Sequence, residues 1–204
     1  MRLFVAMDIP EEVRAALRAL VQRLRPACGA AKWTRIENAH ITLKFIGEAS
    51  LEHLQQIKSA LASVGILAPI RMNFRGAGFF PNPKRPRVFW AGVEGGLELA
   101  NLAEKVSSTL EPLGFAKEKR EFSPHITLAQ CKVPGDFQQL QRAISDAGSL
   151  EGLRAGPPVG SLAASLNFGD TVATEFHLYQ SVLKPTGAEY TRLATYRFAE
   201  DGSQ

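Results

Sequence analysis

The tetrapeptide His-Ile-Thr-Leu is written twice in this chain, from His40 and again from His125, although the 204 residues contain only four histidines. Each copy alternates a polar with an apolar residue, the period of a half-buried β-strand. Isoleucine and leucine then face a core, while histidine and threonine share the other face, about 6–7 Å apart along the strand. Packing explains a repeated isoleucine and leucine. It gives no reason to repeat an imidazole and a hydroxyl on the side away from the core.

The surroundings of the two copies are also alike. Helical spacing runs from Val13 through Leu17, Leu20, Val21 and Leu24 to Pro26, with Asp8, Pro10, Glu11 and Glu12 marking its start and Asp8 as a cap candidate. A second helix is predicted from Ser50 to Gly65, a third over about 97–113 with Gly114 closing it, and a weaker fourth over about 136–147. Residues 2–7 are a short apolar run, and strand-like segments fall at 31–35, 40–46, 69–77, 87–93, 124–131, 159–168 and 174–184, the last two joined by a hairpin loop at "NFGDT". The stretch "FFPNPKRPR" at 79–87 reads as an exposed loop and "EDGSQ" as a loose tail. Each HITL strand thus follows one helix and precedes another. The pattern predicts an α+β fold of two similar halves facing each other, within a single domain spanning 1–204 because no composition break marks a linker.

Composition narrows the function classes. With 45% hydrophobic and 22% charged residues the chain is ordinary globular material. Its net charge of +4 suits an anionic partner. Two cysteines, Cys28 and Cys131, build no disulfide framework, and no Cys/His cluster has zinc spacing. The N-terminus lacks a signal-peptide pattern and no apolar run is long enough to span a bilayer, so a soluble, cytoplasmic protein is expected. A monomer is the separate expectation for its assembly.

Two H-x-T strands brought together would place two imidazoles and two hydroxyls around one small space. That set suits in-line displacement at phosphorus. One neutral imidazole takes a proton from the attacking oxygen, and one imidazolium gives a proton to the leaving oxygen. The hydroxyls of Thr42 and Thr127 donate to the non-bridging oxygens. The residues alone leave open which histidine is acid and which is base. Strict alternation adds Lys44 to the face of His40 and Thr42, as a substrate contact, and turns Gln130 away from His125. No metal or cofactor is required, and a zinc site is the weaker reading because neither motif carries a carboxylate or thiol close by on its face. Of the other groups, Lys84, Arg85 and Arg87 either make phosphate contacts or form a solvated loop. His53 reads as a surface group, His177 as structural, and Trp33 and Trp90 as core.

The chain resembles the two-histidine (2H) phosphoesterases, and within them the bacterial and archaeal RNA 2′,3′-cyclic phosphodiesterases, also called 2′-5′ RNA ligase-like proteins. The similarity runs through "RLFVAMDIPEEV", "KWTRIENAHITLKFIGE", "GAGFFPNPKRPRVFWAGVE", "GFAKEKREFSPHITLAQ" and "LYQSVLKPTGAEY". The resemblance implies a bilobal, pseudo-twofold fold of two antiparallel sheets flanked by helices, with the active cleft between the lobes. It implies hydrolysis of a terminal 2′,3′-cyclic phosphate, on RNA ends or nucleotides, to a 2′-phosphomonoester. It implies His40 as proton donor to the 3′ oxygen, His125 as the base that activates water, Thr42 and Thr127 on the phosphoryl oxygens, and Arg120 as a phosphate contact. Where the family often has an arginine after "HITLA", this chain has Gln130. Two other readings are a 2′-5′ RNA ligase running the reverse reaction and an RNA-end binding module without turnover.

Overall fold

A computed structural model describes residues 1–29, 31–64, 68–82, 84–131, 137, 139–142, 166–185 and 187–199. In chain order these form β1 (Arg2–Asp8), α1 (Glu11–Leu24), β2 (Lys32–Trp33), β3 (His40–Glu48), α2 (Leu51–Ala62), β4 (Ile70–Phe80), β5 (Val88–Glu94), α3 (Gly96–Leu110), β6 (His125–Gln130), β7 (Asn167–Ala173), β8 (Glu175–Lys184) and β9 (Gly187–Arg197). The strands make two antiparallel sheets, of order β3-β1-β8-β9 and β2-β6-β5-β4-β7. The expected α+β architecture of two sheets flanked by helices is what the chain adopts.

The helices form where apolar spacing predicts them. The buried residues of α1 are Val13, Leu17, Leu20, Val21 and Leu24, and those of α3 are Leu99, Leu102, Ala103, Val106 and Leu110. Each large apolar side chain among them stabilises the fold by about 1.5–3 kcal/mol on leaving water. The Ser50 hydroxyl accepts from the His53 amide and caps α2. Gly114, at φ 87°, closes the turn after α3 in the left-handed region. One continuous core holds residues of both sheets and all three helices.

The two halves match over four strands each, and β2 is an additional strand at the edge of the second sheet, beside β6. β1, α1 and β3 correspond to β5, α3 and β6. In each sheet the HITL strand pairs with the strand that precedes its helix, followed by two further strands. The helices also tie the halves together: α3 leaves the five-stranded sheet and packs on β3, while α1 packs on β7.

Several expectations are corrected. Residues 167–173 are not a hairpin loop. They form β7, which pairs with β4, whereas β8 pairs with β1 in the other sheet. β9 is absent from the sequence reading, and it pairs with β8 along nearly its whole length. Asp8 does not cap α1: Pro10 holds the N-cap position and no side chain caps it. Residues 139–142 are helical as expected. The rest of the fourth helix, the start of the 159–168 strand and the whole of the tail at 200–204 lie outside the described residues. No helix among the described residues is long and apolar enough to cross a membrane.

Candidate active site

Both motifs depart from simple alternation at the same place. In the β1/β3 ladder Ala6 pairs with Thr42 but Val5 pairs with Lys44, leaving Leu43 as an extra residue. In the β5/β6 ladder Trp90 pairs with Thr127 but Phe89 pairs with Ala129, leaving Leu128 extra. Each HITL therefore ends in a β-bulge on its leucine. A bulge shifts every later side chain to the opposite face from that expected.

Two sequence expectations fail for this reason. Lys44 does not join His40 and Thr42. It lies opposite the buried Val5, is itself 2% exposed, and its Nζ donates to the Ala116 carbonyl at 2.7 Å and the Ser107 hydroxyl at 3.2 Å. Burial pushes its ammonium below the ordinary value, against the pull of Glu118, Glu111 and Glu104. Lys44 thus ties β3 to α3 and to the segment leading to the second motif. Gln130, in turn, does not face away from His125. It pairs with Val88, two positions before Trp90 on the same face, and shares the side of His125 and Thr127. Its counterpart on β3 is Phe45, whose ring is 62% exposed beside the first motif.

The histidines are held in one manner. His40 Nδ1 lies 2.7 Å from the Asn38 carbonyl, and His125 Nδ1 lies 2.7 Å from the Ser123 carbonyl. A carbonyl can only accept, so each Nδ1 carries its proton and each Nε2 is left to exchange one. Aromatic rings fix the imidazole planes. Phe4 lies 4.8 Å from His40 and Tyr190 meets it edge-on at 5.3 Å. Phe80 meets His125 edge-on at 4.9 Å and is itself 5.2 Å from Trp90. Trp90, expected in the core, lies instead on the His125 face. Its indole covers Gly78, where a Cβ would come within 2.4 Å of the ring.

β3 packs close to β6, so a proton on His125 disfavours a second one on His40. The half-buried hydroxyls of Thr42 and Thr127 make no hydrogen bond among the described residues. Burial lowers the pKa of both histidines, opposed at His40 by the Asn38 carbonyl and by Asp8, and at His125 by the Ser123 carbonyl. The site thus holds two imidazoles favoured as neutral in the free protein.

Other candidates fall around this centre. Arg120 is exposed in the bend five residues before His125. Lys117 is paired with Glu104 at 2.5 Å. Asn82 Oδ1 accepts from the Lys84 and Arg85 amides and so braces the basic loop, which joins the β4 and β5 ends nearest Gln130. His53, on α2, meets Phe115 edge-on. His177 has partners that the sequence does not disclose. It is 1% exposed, its Nδ1 lies 3.1 Å from Thr195 Oγ1, and its Nε2 lies 3.5 Å from Glu175 and 3.8 Å from Asp8. Sequence reasoning misses Asp8 as a site residue. It stands directly across the ladder from His40, on the same face.

Residues 7–90 match the family model described as LigT like Phosphoesterase. A protein of Archaeoglobus fulgidus named RNA 2′,3′-cyclic phosphodiesterase is 34% identical over 96% of this chain and 99% of its own length. One of the same name from Aeropyrum pernix is 38% identical over 81% of this chain and 85% of its own. Among solved structures, TT0787 of Thermus thermophilus superposes with a TM-score of 0.74 at 32% identity, covering 97% of this chain and 98% of that one. E. coli LigT complexed with 3′-AMP superposes with a TM-score of 0.72 at 27% identity, each chain covered to 98%. The chain therefore belongs to the LigT-like phosphoesterases, the family of the proteins named RNA 2′,3′-cyclic phosphodiesterase.

Proposed function

We propose that this protein hydrolyses a terminal 2′,3′-cyclic phosphate, on RNA or a nucleotide, to a 2′-phosphomonoester. The observation that carries the reading is the matched presentation of two Nε2 atoms and two unengaged threonine hydroxyls from bulged strands that pack close together. His125 Nε2 takes a proton from water as its oxygen bonds to phosphorus. The bond from phosphorus to the 3′ oxygen breaks, and His40 gives that oxygen its proton. Thr42 and Thr127 donate to the non-bridging oxygens, where charge sits during displacement. Family membership and full-length likeness to proteins named for this activity support the assignment.

Around this centre Arg120 contacts phosphate, Phe45 offers a face for a base, and the Lys84–Arg87 loop meets the RNA backbone. Lys44 leaves the substrate-contact set and holds structure. The enzyme is proposed to act as a cytoplasmic monomer without metal or cofactor. Ligation of a cyclic phosphate end to a 5′-hydroxyl uses the same two groups in reverse, and the excess of water favours hydrolysis.

The test is an RNA ending in a 2′,3′-cyclic phosphate, incubated with the full chain in EDTA. A 2′-phosphate product that disappears in His40→Ala and in His125→Ala is the expected result. Binding that survives both substitutions, with no product from the parent, would establish an RNA-end binding module instead. Loss of turnover in EDTA that zinc restores would overturn the metal-free mechanism.

A further inference from the structure

The two motifs are near copies, yet their reaction needs one acid and one base. The local hydrogen bonds do not break the tie, because both Nδ1 atoms sit 2.7 Å from a carbonyl two residues earlier. The strands beside them do. In the first half the residue across the ladder from His40 is Asp8, and in the second half the residue across from His125 is Gly92. These are matched positions, and directly opposed residues in an antiparallel pair have Cα atoms about 4.5–5.5 Å apart with side chains on one face. Gly92 cannot be replaced by an acid without moving the sheet, since a Cβ there would lie 2.4 Å from the Arg75 carbonyl oxygen.

We propose that Asp8 is a positioning residue for the reaction: its carboxylate favours the protonated form of His40 and makes it the acid, while the glycine opposite His125 leaves that imidazole to be the base. The inference rests on the cyclic phosphodiesterase reading above and adds what sets its direction.

The carboxylate is held in place for this task. The Tyr179 hydroxyl donates to Asp8 Oδ1 at 2.6 Å, Arg192 donates to Oδ2, and the Arg192 Nε donates to the Tyr179 oxygen at 3.3 Å. His177 Nε2 stands 3.8 Å from the same carboxylate. Around His40 itself, β1 contributes Asp8, α1 contributes Arg14, β6 contributes His125, and β9 contributes the edge of Tyr190. Arg14 is turned toward backbone carbonyls of Ile9, Ile36 and Glu37. Arg14 and His125 both disfavour a proton on His40, burial disfavours it further, and Asp8 is the carboxylate that opposes them. The network has a second consequence. Arg192 lies on Asp8 and weakens its hold on His40, so removing the guanidinium should have the opposite sign to removing the carboxylate.

The experiment follows each of the four histidines by NMR through a pH titration of the full chain, in the parent, Asp8→Asn and Arg192→Gln. It is paired with pH profiles of kcat/KM on a 2′,3′-cyclic phosphate. An opposite charge nearby shifts a pKa by about 1–3 units, and with Arg192 partly offsetting it about 0.5–1 unit is expected here. Asp8→Asn should lower the His40 midpoint by that amount and leave His125 in place. Its rate should fall about 3–10-fold relative to the parent at the alkaline end and stay unchanged at the acid end. That pattern holds whichever histidine has the higher midpoint, because far above both midpoints the rate follows the fraction of acid still protonated. Arg192→Gln should move both readings the other way.

A His40 midpoint that stays fixed in both variants overturns the proposal. So does a rate gain at the acid end in Asp8→Asn, which would make His40 the base. If Asp8→Asn does not fold, the sign of the Arg192→Gln shift decides. If no variant or parent turns the substrate over but the His40 midpoint moves as expected, the coupling of Asp8 to His40 is supported and the phosphodiesterase reading fails.

Discussion

The two HITL strands do the same thing with their first four residues and different things with the next two. Up to the leucine they are interchangeable: imidazole tethered through Nδ1, half-buried threonine, bulge. Beyond the bulge the first strand buries Lys44 and exposes Phe45, while the second buries Ala129 and exposes Gln130. Across the ladder the first strand meets Asp8 and the second meets Gly92. The lesson is that a symmetric scaffold supplies the reacting groups in pairs, and the neighbours make each pair unequal. Acid and base must differ, and so must the two flanks of a nucleotide, one with a base and one with a phosphate.

The largest effects should come from what the halves share. His40→Ala and His125→Ala should each cost about 10²–10⁴-fold in kcat, measured as cyclic phosphate opening under saturating substrate. Unequal losses, with one variant near parental activity, would break the pairing. Thr42→Val and Thr127→Val each delete a hydroxyl with little change of shape, and each should lower kcat about 10–100-fold with KM changed less, below the 10²–10³-fold of a dedicated oxyanion donor.

Smaller effects should come from what the halves do not share. Lys44→Met removes two buried hydrogen bonds and should destabilise the fold by about 1–3 kcal/mol in denaturant titration. Ala129, its counterpart, makes no such link, so a change there has no equivalent loss of hydrogen bonds. At the next position, Phe45→Ala should raise KM for an RNA end by about tenfold with kcat nearly kept, the scale of one base–aromatic stack. Gln130→Arg places a guanidinium on the His125 face and should lower KM in a salt-dependent way. An unchanged KM at both positions would mean that the flanks beyond the bulges do not meet substrate.

The pH dependence comes from the pair as a whole. Both imidazoles are depressed from the ordinary 6.5, each chiefly by burial. A reaction that needs one protonated and one neutral imidazole has its optimum midway between the two midpoints. The bell of kcat/KM should therefore centre on the acid side of 6.5, and a centre above that value would contradict the burial argument.

How much of this is legible in the sequence follows a physical line. The three described helices are, because burial of one face leaves a repeat of apolar residues within a single segment. The reacting groups are, because a repeated His and Thr on a polar face has no packing cause. The bulges are not. Leu43 and Leu128 look like ordinary core positions, and only pairing with β1 and β5 shows the extra residue, so strict alternation misplaces Lys44 and Gln130. β7 reads as a turn because Asn167, Gly169 and Asp170 are turn formers. Its pairing with β4 overrides that preference. Asp8 reads as a helix cap from its neighbours in sequence, while its partners Tyr179 and Arg192 lie far along the chain.

The measurement that tests the central claim most directly compares the double variant His40→Ala/His125→Ala with each single variant under one set of conditions. Groups that act as a unit lose their effect together. The account predicts that the double variant is no more than a few fold slower than the slower single one. Losses that multiply, so that the double variant retains only the product of the two residual activities, would mean the histidines act independently and would contradict the paired acid–base site.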